Sequence, residues 1–462
     1  MIARMGLVAW GLVACAVPDE AIVALPSPHE SPSVPAARPN FVVVIIDDVG
    51  IDKVASYRVH PETAPTPTLD RLADEGLRFQ HAFAMPTCTA TRAALLTGRH
   101  VFRNHTGAVI WPFDTVDELP LDEVTLPELL ATAEVPYDSA LAGKWHLSSN
   151  ASPSTTHLPT LQGFGWFSGS MNNLWVDSEN ESGGYGFFEF EKVQPDGSVA
   201  IEQQYATTDT TDDALDQLNA LEEPFLLVVS YNGAHNPWHT PPQDLHSYGT
   251  GLNIVEKHLA ATEAVDRELG RLVDGMSNRL RDHTYVVVVG DNGTPRQVTT
   301  APSDPNRAKG TVAEGGVRVP MVVTGPGVPQ GEVSDALISV VDLWPTLADL
   351  AGLPEDERSA AGPIDGVSQV AVWHGDADYL RDTVYLESVS HTGPGPWEQH
   401  YRALRDDRFK VVKDVDGTTA FFEIDPRGLH DGPDLLLGGE ESLSADAMQA
   451  LGRLTAGLDQ LR

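Results

Sequence analysis

The chain has 462 residues, 41% of them hydrophobic, enough to bury a large core and to exclude a disordered or low-complexity protein. Asp and Glu number 66 against 30 Lys and Arg, a formal charge of −36, which excludes nucleic acid as a partner and predicts a self-repelling surface.

The first element is an apolar run, Met5 to Ala14 behind Arg4, too short to stay in a membrane as a spanning helix and readable as the core of a signal peptide. Leu12-Val13-Ala14-Cys15 resembles the bacterial lipobox, in which the cysteine becomes the lipidated N-terminus, and Ala16 rather than Asp follows it. That resemblance implies a lipoprotein signal over residues 1–15, a membrane anchor through Cys15, and export to the outer membrane, facing the periplasm or the cell surface. Residues 16–39, rich in Pro, Ser and Ala, read as an extended tether. With Cys15 lipidated, the second of the two cysteines has no disulfide partner, so the core must hold the exported fold alone.

Phe41 to Ile46 is apolar without alternation, the pattern of a parallel strand covered on both faces. It ends in Asp47-Asp48, and ligands of open parallel sheets lie at strand carboxyl ends, so the two acids are candidate ligands for a hard cation. Pro67 to Ala73 reads as an amphipathic helix stopped at Gly76. Thr87 to Arg99 then sets Cys88 where small, helix-favouring residues begin, with Arg92 one turn on and Gly98 as a stop. Here the sequence resembles the sulfatase family, whose signature is Cys, any residue, Pro or Ala, Ser or Thr, Arg, four residues, then Thr-Gly. Cys88, Ala90, Thr91, Arg92, Thr97 and Gly98 fit it, with Ala90 standing where most members carry Pro.

The resemblance implies that Cys88 is oxidised to formylglycine by a formylglycine-generating or an anaerobic maturation enzyme, and that its hydrate attacks the sulfur of a sulfate ester. A strand near Tyr137 to Ala142 delivers Gly143-Lys144-Trp145-His146, where alternate positions on an extended segment point Lys144 and His146 the same way. The family has the same motif, which implies sulfate contact for Lys144 and a hold on the formylglycine hydrate for His146. Pro159 to Gly169 is similar to the family's glycine-aromatic segment and is left out of the site; residues 170–205 show no regular pattern.

A helix is predicted from about Thr211 to Leu221, then a buried strand Pro224 to Ser230 leading to His235, which matches the family's donor to the leaving oxygen. Asn253 to Leu280 has helical spacing, and strand Thr284 to Val289 ends in Asp291-Asn292. Asp47, Asp48, Asp291 and Asn292 make a cage of three carboxylates and one amide, with water or sulfate and the modified Cys88 completing about six ligands. Oxygen donors favour calcium, with magnesium as the alternative, over zinc. Lys309, before Glu314-Gly315-Gly316, matches the family's second sulfate-contacting lysine.

Strand Pro320 to Val323 and helix Val341 to Leu350 close the large unit. Thr383 to Glu387, Tyr401 to Val412 and Thr418 to Ile424 read as short strands, and Ser442 to Leu461 as a helix with Met448, Leu451, Leu454, Leu458 and Leu461 on one face. The expected fold is α/β: a large, mostly parallel sheet between helices over residues 40–370, and a smaller antiparallel sheet plus helix over 371–462. The resemblance implies hydrolysis of an aryl or carbohydrate sulfate. Two other classes stand beside it: a phosphate or phosphonate ester hydrolase of the same superfamily, and a non-catalytic lipoprotein binding sulfated glycans.

Overall fold

Alternate side chains of the first strand enter different cores: Phe41, Val43 and Ile45 pack on one side, Val42, Val44 and Ile46 on the other. A strand apolar on both faces must lie inside a sheet clad on both sides. The computed structural model of the chain describes residues 38–112, 118–149, 154–174, 186–359, 361–425 and 430–461. The proposed signal peptide, Cys15 and nearly all of the tether lie outside them.

In chain order the strands are β1 (Asn40–Ile46), β2 (Leu77–Phe83), β3 (Asp138–Gly143), β4 (Trp166–Ser168), β5 (Phe190–Val193), β6 (Val199–Glu202), β7 (Phe225–Ser230), β8 (Thr284–Gly290), β9 (Met321–Thr324) and β10 (Glu332–Ser339). Eight of them form one sheet in the order β10-β2-β9-β8-β1-β7-β3-β4. β1 pairs in parallel with both β7 and β8, and β3 with β7, while β9 runs antiparallel to β2 and β8. The ends of β1, β3, β7 and β8 therefore open on one edge, where crossover helices leave the sheet uncovered.

The helices Pro67–Glu75, Ala206–Ala220 and Ile254–Gly275 cover the Val42 face through Leu69, Leu72, Ala214, Val265, Leu269 and Leu272. On the Phe41 face lie the Cys88–Thr97 helix, with Ala90, Ala93 and Leu95, and the Leu343–Leu350 helix, with Leu343, Trp344 and Leu347. Among the described residues no helix is long and apolar enough to cross a membrane.

A second, five-stranded antiparallel sheet follows: β11 (Val384–Val389), β12 (His400–Arg405), β13 (Phe409–Lys413), β14 (Thr419–Ile424) and β15 (Asp431–Asp434). The Ala445–Gln460 helix lies on it through Ala447, Ala450, Leu454 and Leu458. So the architecture is the expected one, with local differences. The expected strand Tyr401 to Val412 is a hairpin, because Asp406-Asp407 turns it: the Asp406 carboxylate accepts from Arg408 N at 2.8 Å and Phe409 N. Met448, placed on the buried helix face, is exposed, and the smaller Ala447 and Ala450 bring the helix close to the sheet instead. The stretch 170–205 is not without pattern, since β5 and β6 pair within it, and the helix expected at Thr211 already begins at Ala206.

The two sheets are joined by buried charge. Glu314 meets Arg405 Nη1 of β12 at 2.7 Å and Lys410 Nζ of β13 at 3.1 Å, all three side chains being without solvent exposure. Burial alone would raise the Glu314 carboxyl, but Arg405, Lys410 and Arg318 hold it down at about 2. Glu314→Ala leaves Arg405 buried without its carboxylate and Lys410 with Asp431 and the Val312 carbonyl. We expect a loss of about 3–5 kcal/mol of stability, measured by denaturant titration with tryptophan fluorescence; an unchanged midpoint would show that the pair does not join the sheets.

Candidate active site

Cys88 is the first residue of its helix, with Thr91 N bonded to Thr87 O at 3.0 Å and Gly98 closing the far end at φ 66. Its side chain is fully buried, 3.8 Å from Lys309 Nζ. Burial pushes the thiol pKa up, against the pull of Lys144 and Lys309, so the unmodified side chain rests as a neutral thiol, a weak nucleophile.

Four strand ends supply the surroundings. Asp47 and Asp48 follow β1, Asp291 and Asn292 follow β8, Lys144 and His146 follow β3, and His235 follows β7. One oxygen from each of Asp47, Asp48 and Asp291 falls within 4.8 Å of the others. Lys144 Nζ and Lys309 Nζ make direct ion pairs with Asp47 and Asp48 respectively. Arg92 donates to Asp291 Oδ2 at 3.0 Å, to the Lys144 carbonyl at 3.0 Å and to Ser230 Oγ, and stands 3.7 Å from Asp47. Asn292 Nδ2 donates to Asp48 Oδ1 at 2.8 Å. The proposed site residues thus converge at one sheet edge.

Three buried acids this close cannot all ionise freely. Burial would raise the Asp47 carboxyl, but Lys144, His235, Arg92 and Lys309 hold it well below the usual carboxylate range. Asp291 takes the opposite course, raised to about 7 by burial and by the Asp47 charge beside it. Lys309, although burial disfavours its charge, is held protonated by Asp48 first and by Asp47 and Asp291 behind it. His235 is lowered to about 4 by burial and stands neutral at pH 7. Its Nδ1 lies 2.6 Å from the Asn236 carbonyl, which only accepts, so the proton is on Nδ1 and Nε2 is bare, 3.7 Å from Asp48 Oδ2.

The oxygens suit a hard divalent cation. Asp47 Oδ1 and Asn292 Oδ1 are buried with no hydrogen-bond partner, so each has a lone pair to give, and carboxylate and amide oxygens are the donors calcium and magnesium take.

His146 departs from the extended geometry expected for it. It adopts φ 58, so it does not simply alternate with Lys144: Lys144 reaches Asp47, whereas His146 Nε2 lies 3.2 Å from the Ile110 carbonyl. Ile110 N in turn donates to Thr89 Oγ1, beside Cys88, at 3.3 Å. The backbone of His146 is pinned by Met171 O at 2.8 Å and that of Trp145 by Ser170 O at 2.9 Å. The start of the 170–205 stretch, read from the sequence as without regular pattern, is therefore part of the site's frame, with buried Ser170 bonded to Asn232. Gly169 at φ 150 is the signal that marks it, because a Cβ there would lie 1.9 Å from the Gly143 oxygen. Ser230 was also missed as a site residue: its hydroxyl accepts from Arg92 and donates to Lys144 O at 2.7 Å. A lone serine closing an apolar strand is the trace it leaves in the sequence.

A family model described as Sulfatase matches residues 39–353. N-acetylgalactosamine-6-sulfatase of the dog, Canis lupus familiaris, is 30% identical over 353 residues, 70% of this chain and 64% of that protein, so the match spans just under two thirds of that relative's length. Arylsulfatase G of the rat, Rattus norvegicus, is 30% identical over 438 residues, 83% of this chain and 77% of that protein. In fold, the chain is similar to Ps i-CgsB in complex with k-i-k-neocarrahexaose, with TM-score 0.73, 24% identity and 92% of each chain covered. BT4656 in complex with its substrate D-glucosamine-2-N,6-O-disulfate has TM-score 0.67 at 19% identity, covering 92% of this chain and 97% of that one.

The charge balance at Asp47 has a measurable sign. Its folded pKa lies below the unfolded value of 3.8, so its contribution to stability is present above pH 3.8 and is lost as pH falls below it. Lys144→Met removes the leading cationic cause, and in cation-free buffer the acid-unfolding midpoint, followed by circular dichroism, should rise by roughly one pH unit. An unmoved midpoint would mean that Lys144 does not hold that charge.

Proposed function

The chain belongs to the sulfatase family, and from that premise we propose that it hydrolyses a sulfate monoester to the alcohol and sulfate, with Cys88 converted to formylglycine and a divalent cation, calcium or alternatively magnesium, at the strand ends. The observation that carries this reading is the convergence of Lys309, Lys144 and Arg92 with the acids Asp47, Asp48 and Asp291 at Cys88, whose sulfur is 3.8 Å from Lys309 Nζ. A carbohydrate sulfate is the substrate class we favour, because relatives carry the name N-acetylgalactosamine-6-sulfatase, with an aryl sulfate as the broader alternative that the name arylsulfatase G supports.

In this reading Asp47, Asp48, Asp291 and Asn292 hold the cation, which when bound supplies positive charge toward the sulfate oxygens. Formylglycine at position 88 supplies a hydrated aldehyde as nucleophile. The remaining chemistry belongs to side chains. Lys144 and Arg92 offset the charges of Asp47 and Asp291, which would otherwise repel an anionic ester. Lys309 Nζ, protonated and next to position 88, donates a hydrogen bond to the bridging oxygen as it leaves. His235 Nε2, bare at rest, takes the proton given up by the attacking hydroxyl at position 88 and passes it to the departing alcohol oxygen. His146, turned toward Ile110 O, fixes the wall beside position 88. Export and anchoring through Cys15 complete the proposal.

Full-length protein should release alcohol from an aryl sulfate, and the mass of the Cys88 peptide should be that of formylglycine rather than cysteine. Lys309→Ala should lower kcat/KM by about 10²–10³-fold. An unconverted Cys88 peptide in active protein, or faster turnover of the phosphate analogue, would overturn the sulfatase mechanism. Asp291→Ala should weaken calcium binding and leave position 88 converted, whereas Cys88→Ala should keep the cation and abolish turnover. Equal cation loss in the two variants would show those roles to be misassigned.

A further inference from the structure

His258 is fully buried on the Ile254–Gly275 helix and takes no part in the chemistry outlined above. Its Nε2 lies 2.9 Å from the backbone carbonyl of Asp48. A carbonyl only accepts, so Nε2 carries the proton and Nδ1 the lone pair. The same peptide unit has a special shape: Asp48 sits at φ 63, a left-handed conformation that a side-chain-bearing residue keeps only where its surroundings impose it.

Two hydrogen bonds impose it. Asp48 N donates to Asp291 Oδ1 at 3.1 Å, and Asp48 O accepts from His258. The first ties Asp48 to another acid of the cage; the second ties it to a helix that crosses the opposite face of the sheet. Held at both ends, the residue presents its carboxylate to Asn292 Nδ2, Lys309 and His235. Released at the carbonyl, Asp48 loses one of the two bonds that hold it at φ 63.

We propose that His258 is a positioning residue for the cation site, acting through the backbone of Asp48 and touching neither cation nor substrate. This rests on the reading of Asp47, Asp48, Asp291 and Asn292 as cation ligands. The partners of metal ligands are worth 10–100-fold in affinity where they have been removed. Here the partner grips the ligand's main chain, so the hydrogen bond it donates matters and its aromatic character does not.

The test is calorimetric titration of calcium into the cation-stripped full chain. His258→Leu, which has no donor, should bind calcium about 10–100-fold more weakly than wild type. His258→Gln, whose amide can reach the same carbonyl, should stay within about threefold of wild type. Wild-type affinity in His258→Leu, or equal weakness in His258→Gln and His258→Leu, overturns the role. If His258→Leu does not fold, nitrogen-15 spectra of the wild-type imidazoles decide: a neutral ring protonated at Nε2 supports the proposal, and protonation at Nδ1 overturns it. Wild-type protein that takes up neither calcium nor magnesium overturns the cage itself, an outcome distinct from an intact cage indifferent to position 258.

Discussion

Three carboxylates buried together at the ends of two adjacent parallel strands are the constraint from which the rest of this molecule follows. Like charges at such distances in a medium of low polarisability repel strongly, and no fold tolerates them uncompensated. The compensation comes from elsewhere in the chain: Lys144 from β3, Arg92 from the helix that starts at Cys88, and Lys309 from the loop before Glu314. Each must arrive within ion-pairing distance of a particular acid. The sheet order, which sets β8, β1, β7 and β3 side by side with their ends on one edge, is what brings them there. Acids concentrated in one small volume thus gather ammonium and guanidinium groups around them.

Much of this was legible because it is written in short local patterns. An apolar run followed by two acids marks β1 and Asp47-Asp48, and the same grammar marks β8 with Asp291-Asn292 and β7 with His235. The helix at Cys88 was readable from its small residues and its glycine stop. What stayed hidden depends on contacts between distant segments. Ser230 serves the site only because Arg92 arrives from 138 residues away, and Ser170 only because Trp145 and Asn232 pack beside it. His258 follows the same rule: its position within an amphipathic helix says that it is buried, and nothing in the helix says that the Asp48 carbonyl waits on the other side.

The errors of reading are physical as well. Tyr401 to Val412 reads as one strand only if the turn-forming pair Asp406-Asp407 is passed over, and the bonds from Arg408 N and Phe409 N to Asp406 make the reversal there. The sequence predicts an extended His146, because alternation is the default of a segment leaving a strand. Its φ of 58 turns the ring toward Ile110 and joins it to the wall that Thr89 braces, so the motif works through a bend that no spacing rule encodes.

Arg405, Lys410 and Asp431 give the small sheet a hold on the loop that carries Lys309: Arg405 and Lys410 grip Glu314, Glu314 N donates to Asp431 Oδ2 at 3.3 Å, and Ser388 Oγ donates to Gly310 O at 3.4 Å. The chain is therefore poorly suited to modular exchange. A chimaera that grafts another C-terminal unit onto this large sheet inherits an acid that expects two cations from strands it no longer has. Diversification of such a protein is channelled away from swapping the small sheet wholesale and toward changing the loops that project from it, since those can vary while the strands keep their charges in register.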